Sequence, residues 1–486
     1  MPVQTPHPDY AFRLPDWQKV RAFAEGARVV RAAGETYLPK PTGWSSDEYN
    51  AYRARAEVYG ATDRTIDGLD GAIFRKPPKI EGLESAQDLV DDVTLAGNTL
   101  TEWLRDLVRE ILGPGRRGVL VEFSGSPDDP ATRGNGTQRP YLVNYAPEQI
   151  INWETANIGG KTTLTMVVLQ ETSLVPSPSD PFVRTYQTRF RVLRLVEGRY
   201  LIELWTPMSS PNPVQSSGIA GSAPKTEESV FEKTAEIVPT RRGVPLSDIP
   251  FFFIGPSGQS ATPEKPPLLD VVDLCILHYM TSADYAHGLH WVGLPTPWAT
   301  GVRDKERIGI GPTTMIVLED PEAKLGMLEF TGTGLSAVRE RLDGLEHKMA
   351  ALGARILEEQ KKQAESGEAL KLRQSGEASV LAGISDAVSR AAEAIVRRML
   401  WWNGADDDPD ITISLNMEFF GAAMDPQLLT ALMQARQSGE ISRETFLWNL
   451  QKGEMLPEDR TIEDEMAKIK TEAPDLPARS AAAGGA

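Results

Sequence analysis

Three histidines, His278, His287 and His290, share one apolar stretch, and the i, i+3 spacing of His287 and His290 puts two imidazoles on one helical face, where they could share a metal ion. Asp284 is the carboxylate beside them, His278 falls on another face of the wheel, and no HExxH pair is present. Packing and polar contact are the expected roles; a metal-dependent enzyme using His278, His287 and His290 is the alternative. Asp406, Asp407, Asp408 and Asp410 lack the glycine and distal glutamate of a calcium loop, so a solvated loop is expected. The run Gly113-Pro-Gly-Arg-Arg-Gly118 imitates a phosphate cradle, yet no Lys-Ser/Thr follows and the order is helix to strand, the reverse of a P-loop. It reads as a helix stop and a strand start. Cys275, the sole cysteine, sits mid-helix in apolar company, where a small buried hydrophobe is expected; alone it builds no disulfide, paired-Cys zinc site or CxxC motif. With no GxSxG and no acid–base pair, the chain reads as a non-enzyme without a cofactor.

The balance of charge narrows the partners. Against 51 basic residues stand 68 acidic ones, a formal −17, and a surface of that sign repels phosphates, which excludes a tight non-specific nucleic-acid binder. The 486 residues suggest about three domains or sub-domains at roughly 150 residues each. A 41% hydrophobic fraction is ordinary for a folded globular chain. The most apolar window, 268–280, is broken by Asp270 and Asp273, so no spanning helix is expected, and the N-terminus shows no secretory signal. Cytosolic folding is the natural inference.

The elements that would position these residues follow from periodicity. Helical spacing is read over 14–40, 46–60, 65–74 and 85–112, the last with a possible split at Gly97. Strands are read over 118–123, 141–145, 149–153, 162–170, 187–196, 199–206 and 228–238, with Glu197-Gly198 as a hairpin turn and 207–227 as a mobile loop. A helix at 266–291 and one at 333–362 flank a β-rich excursion. In the second, Leu335, Val338, Leu342, Leu345, Met349, Leu352 and Ile356 form an apolar seam at alternate spacings of 3 and 4, as helix-to-helix packing demands. A polar loop at 363–378 precedes a helix at 379–403; Glu365, Glu368, Lys371, Arg373 and Glu377, hinged by Gly367 and Gly376, could meet a polyanion transiently. A strand at 411–419 and capped helices from Pro426, Ser442 and Thr461 complete the chain, with a frayed end.

The succession HPDYAFRLPDWQKVR, RPYLVNYAPEQIINW, PPLLDVVDLCILHYMTSADYAHGLHWVGLPTPW, SGEALKLRQSGEAS and GEISRETFLWNLQKGEMLP resembles the portal proteins of tailed bacteriophages, the subfamily labelled DUF4055. The resemblance implies an α+β portal-like fold: 1–265 most of the wing, 266–291 and 333–362 the stem helices, 292–332 the clip, 363–378 the tunnel loop, 379–403 the long wing helix, and 404–486 the remaining wing with a short crown. It implies a homo-oligomeric ring, usually a dodecamer, at one capsid vertex of the virion, assembled in the host cytoplasm. Double-stranded DNA would enter and leave through it with only transient contact. The terminase large subunit, a tail adaptor, the major capsid protein and a scaffolding protein are the implied partners, with Arg303, Lys305 and Arg307 of the clip as candidate docking residues and the seam as the candidate subunit contact. Another virion ring protein, such as a head-to-tail adaptor, is the alternative of the same class. Twelve copies would carry roughly twelve times −17, as a channel that must let DNA slide requires.

Overall fold

Capping chemistry sets the helix boundaries of the N-terminal third. The computed structural model describes residues 2–124, 138–177, 180, 182–208, 230–293, 296–300, 322, 324–328, 332–353, 367–405, 409–417, 419, 426–452 and 461–472. Helix Pro8–Glu25 begins earlier than its apolar spacing suggests, because His7 Nδ1 accepts the Asp9 amide at 3.1 Å, and it stops at Gly26, whose φ of 90° interrupts the helix expected over 14–40. Helices Ala27–Ala32, Ser46–Arg55 and Ala61–Ile73 follow. The stretch 85–112 splits near Gly97 into Gln87–Asp91 and Leu100–Leu112. The second piece restarts on a capping box, in which Thr99 Oγ1 accepts the Glu102 amide and Glu102 accepts the Thr99 amide.

The β part has two main sheets. Strand Arg117–Phe123 runs between Pro140–Tyr145 and Phe251–Ile254, all antiparallel. The last of these was not expected; an apolar run of four, three of them buried, has no apolar–polar alternation to betray it. The second sheet is a meander of Ile150–Ile158, Lys161–Pro176, Arg184–Val196, Arg199–Pro207 and Phe231–Ile237. Its tight turn is Glu197-Gly198, both at positive φ as a type I′ hairpin needs. Of the strand expected over 411–419 only Thr412–Ser414 is regular, paired with Lys79–Glu81, which the sequence reading did not assign as a strand.

Helix Leu269–Gly293 is followed by the hairpin Thr296–Thr300 with Lys324–Leu328, then by helix Leu335–Leu352 and the 36-residue helix Gly367–Trp402. Two expectations change here. The described part of the second helix ends at Gly353, where an added β-carbon would lie 3.0 Å from Thr65 Cγ2, so the glycine allows the helix end to abut the N-terminal helices; Ile356 lies outside the described residues. The stretch from 367 to 378, expected as loop, is helical. Its Glu, Ala, Leu, Lys, Arg and Gln residues are strong helix formers, and a single Gly376 costs only about 1 kcal/mol relative to alanine.

One core joins the N-terminal helices to this segment: Val20, Phe23, Tyr49, Tyr52 and Ile66 pack with Val272, Cys275, Tyr279 and Met349. Clustering of contacts divides the chain at 417/418. The second unit comprises helices Pro426–Ser438, Arg443–Lys452 and Ile462–Glu472; Ser442 Oγ and Thr461 Oγ1 accept the Thr445 and Asp464 amides as caps for the latter two. Among the described residues no helix is long and apolar enough to cross a membrane.

Candidate functional site

The seam residues meet a partner inside their own chain. Gly288 faces Leu335, His278 faces Glu346, Cys275 faces Met349 and Val271 faces Gly353, a descending series that makes Leu269–Gly293 and Leu335–Leu352 antiparallel neighbours. Leu342, Leu345 and Met349 are buried and Leu335 and Val338 half-buried, whereas Leu352 is 56% exposed. This corrects the expectation that the seam as a whole is kept for neighbouring subunits. The paired strands Thr296–Thr300 and Lys324–Leu328 return the second helix alongside the first, so the buried part of the apolar stripe is covered within the chain. On Leu269–Gly293 five of the exposed positions, Asp270, Asp273, Leu277, Asp284 and Trp291, recur at spacings of three, four and seven, which makes one outward stripe.

That first helix is held by polar contacts that periodicity cannot show. Tyr52 Oη donates to Asp284 Oδ1 at 2.5 Å, and burial, joined by Asp284, pushes the phenol well above its ordinary value. Ser282 Oγ accepts the Glu57 amide at 3.0 Å, and Lys19 reaches Asp273 at 2.9 Å. The Cys275 thiol is fully buried 3.4 Å from Met349 Sδ, and burial raises its pKa, as suits a packing role.

The three histidines separate. His278 is buried, with Nε2 3.3 Å from Glu346 Oε1; His287 Nε2 accepts the Trp291 indole N–H at 2.8 Å; His290 lies 3.3 Å from Arg55. His287 also packs against Trp44 with ring centroids 5.0 Å apart, and burial lowers its pKa. Among the described residues, no three His, Cys, Asp or Glu side chains come together to hold a metal ion.

Glu368, Lys371, Arg373 and Glu377 stand on the first turns of Gly367–Trp402, while Glu365, together with Arg303, Lys305, Arg307 and Asp406 to Asp408, lies outside the described residues. The other end of that long helix is firmly seated. Ile384, Val388, Ile395 and Met399 are buried, Glu393 Oε1 accepts the Ile413 amide at 3.0 Å, and Arg398 meets Asp248 at 2.8 Å.

Two charged groups were missed. Arg116, in the run that imitates a phosphate cradle, turns inward between the rings of Trp153 and Phe253 and donates to Ala261 O at 2.8 Å; burial lowers its pKa to about 9. Between the two sheets, Arg191 donates to Glu122 at 2.7 Å and lies 2.8 Å from Glu171, which also accepts from Tyr145 and Arg189. Burial alone would raise the Glu171 pKa, but Arg191, Tyr145 and Arg189 together hold it below the ordinary range. Charges at inward strand positions were the available signal.

Comparison with known proteins bears on the same segment. No curated protein matches the chain. Among the solved structures that align with it are "Neck of empty GTA particle computed with C6 symmetry", at 12% identity, TM-score 0.36, 85% of this chain and 95% of that one, and "Neck of native GTA particle computed with C12 symmetry", at 12%, 0.33, 89% and 99%. Likeness at that level leaves the fold to be argued from this chain's own elements. The model of one family, "Domain of unknown function (DUF4055)", matches residues 267–403, which span both antiparallel helices, the hairpin between them and the long helix after them. The likeness to that family is thus confined to residues 267–403.

Proposed function

We propose that the chain is the subunit of a portal, the head-to-tail connector ring at one capsid vertex through which double-stranded viral DNA is packaged and ejected. The observation that carries this reading is the make-up of the DUF4055 segment: helix, β-hairpin, antiparallel helix and a 36-residue helix, in the order the portal resemblance implies for stem, clip and channel-side helix. Within it, Leu269–Gly293 and Leu335–Leu352 are the stem, the hairpin and 301–323 the clip, and the start of Gly367–Trp402, with Glu365, Glu368, Lys371, Arg373 and Glu377, the part that approaches DNA. Subunits meet along the outward stripe of the stem, where Leu277 and Trp291 are the apolar positions left over after the seam has closed on itself. Arg303, Lys305 and Arg307 dock the terminase large subunit and later a tail adaptor, and the wing contacts the major capsid protein and scaffold. The −17 charge fits a channel wall that DNA must not adhere to. The ring is probed directly by negative-stain imaging of the purified protein. A ring with a central hole, usually twelve-fold, is expected; a monodisperse monomer at micromolar concentration overturns the reading.

A further inference from the structure

Helices Ala27–Ala32 and Ser46–Arg55 enclose a surface hollow of about 310 Å³ lined by Arg28, Arg31, Asn50, Arg53 and Ala54. Three guanidinium groups gather there in a chain of formal charge −17, and none of them makes an ion pair among the described residues. Arg28 is exposed. Arg31 donates through Nη2 to Ala56 O at 2.9 Å, but its Nε is buried with no hydrogen-bond partner. Arg53 donates to Asn50 Oδ1 at 3.1 Å and lies over the Tyr49 ring. Glu35, felt at Tyr49, offers one negative charge against three positive ones.

Three guanidinium groups that make no ion pair among the described residues line one hollow, and their N–H groups suit an acceptor-rich anion. A carboxylate satisfies one guanidinium fork. A phosphate, with a second charge and more acceptor oxygens, satisfies several. We propose that Arg28, Arg31 and Arg53, with Asn50 at the rim, form a binding site for a phosphate group. The site stands apart from the DUF4055 segment and does not depend on the ring reading.

The test uses the full chain and two probes, inorganic phosphate titrated calorimetrically against chloride at equal ionic strength, and a short fluorescein-labelled duplex DNA followed by anisotropy. Arg28→Gln with Arg53→Gln removes two charges, one from an exposed and one from a half-buried position; Ala54→Glu, at an exposed position, places a carboxylate at the rim and leaves every arginine in place, so it decides the matter if the double variant folds poorly. Phosphate binding by the parent, weakened at least about tenfold in these variants while their unfolding temperature in chloride is unchanged, supports a free phosphate as the ligand. Duplex binding lost in the same variants, with no response to inorganic phosphate, supports a strand phosphate instead. Absence of both responses in the parent, or responses the variants retain, overturns the proposal.

Discussion

Cys275 Sγ and Met349 Sδ lie 3.4 Å apart, both residues fully buried, and this contact locks the two helices that flank the hairpin into register. Removing the methionine side chain leaves a cavity that rigid helices cannot fill. Met349→Ala should therefore destabilise the protein by about 2–4 kcal/mol, read from urea or thermal unfolding. Loss within 0.5 kcal/mol, roughly what a surface change costs, would show that the seam is not part of the core.

The same contact dictates how a stem variant behaves. Leu345→Asp buries a carboxylate within the protomer and should lower folding stability by several kcal/mol, whatever the oligomeric state. Leu277→Asp, at a position 41% exposed, should leave unfolding almost unchanged but disperse the proposed ring. Light scattering beside circular dichroism separates the two. A Leu277→Asp ring of normal mass would remove the outward stripe from the subunit interface.

Solvent cannot reach the Cys275 thiol, and burial raises its pKa, so an aromatic disulfide reagent at neutral pH should react only as the protein unfolds. Rapid labelling in native buffer, with the far-ultraviolet spectrum intact, would contradict the packing around it.

The Glu171 pKa is lower in the folded state than in the unfolded one, so the stability it contributes is fully present above an unfolded value of about 4.3 and is lost as pH falls through the folded value. The joint between the two sheets should consequently weaken in acid. In Glu171→Gln that part of the pH dependence should vanish, with a loss at neutral pH of about 3–5 kcal/mol because Arg191 and Arg189 are left short of charge. Unfolding midpoints measured from neutral pH to about pH 3 report both effects.

Lys371 and Arg373 stand on the first turns of the long helix. In the proposed portal, replacing both with alanine should leave ring mass unchanged and shift unfolding by less than about 0.5 kcal/mol, while altering the length or rate of DNA packaged. Collapse of the ring in this variant would reassign the two residues from the proposed channel to the proposed subunit interface.

Elements with a period of their own were legible in the sequence. The seam at 335–349, the alternation of the long meander strands, the Glu197-Gly198 turn and the Ser442 and Thr461 caps each rest on residues within a few positions of one another, so local propensity and pattern suffice. Cys275 was legible for the same reason. Long-range relationships were not. Phe251–Ile254 becomes a strand only because Arg117–Phe123 offers it an edge, and Lys79–Glu81 pairs with Thr412–Ser414 across more than 300 residues of chain. The histidines share a helix in sequence, yet their partners come from other elements, Glu346, Trp44 and Arg55, and those partners separate their roles. The apolar spacing of the seam determined that it would be covered. Which surface covers it was decided by the pairing of Thr296–Thr300 with Lys324–Leu328, which brings a helix of the same chain alongside at an effective concentration that a separate subunit does not match.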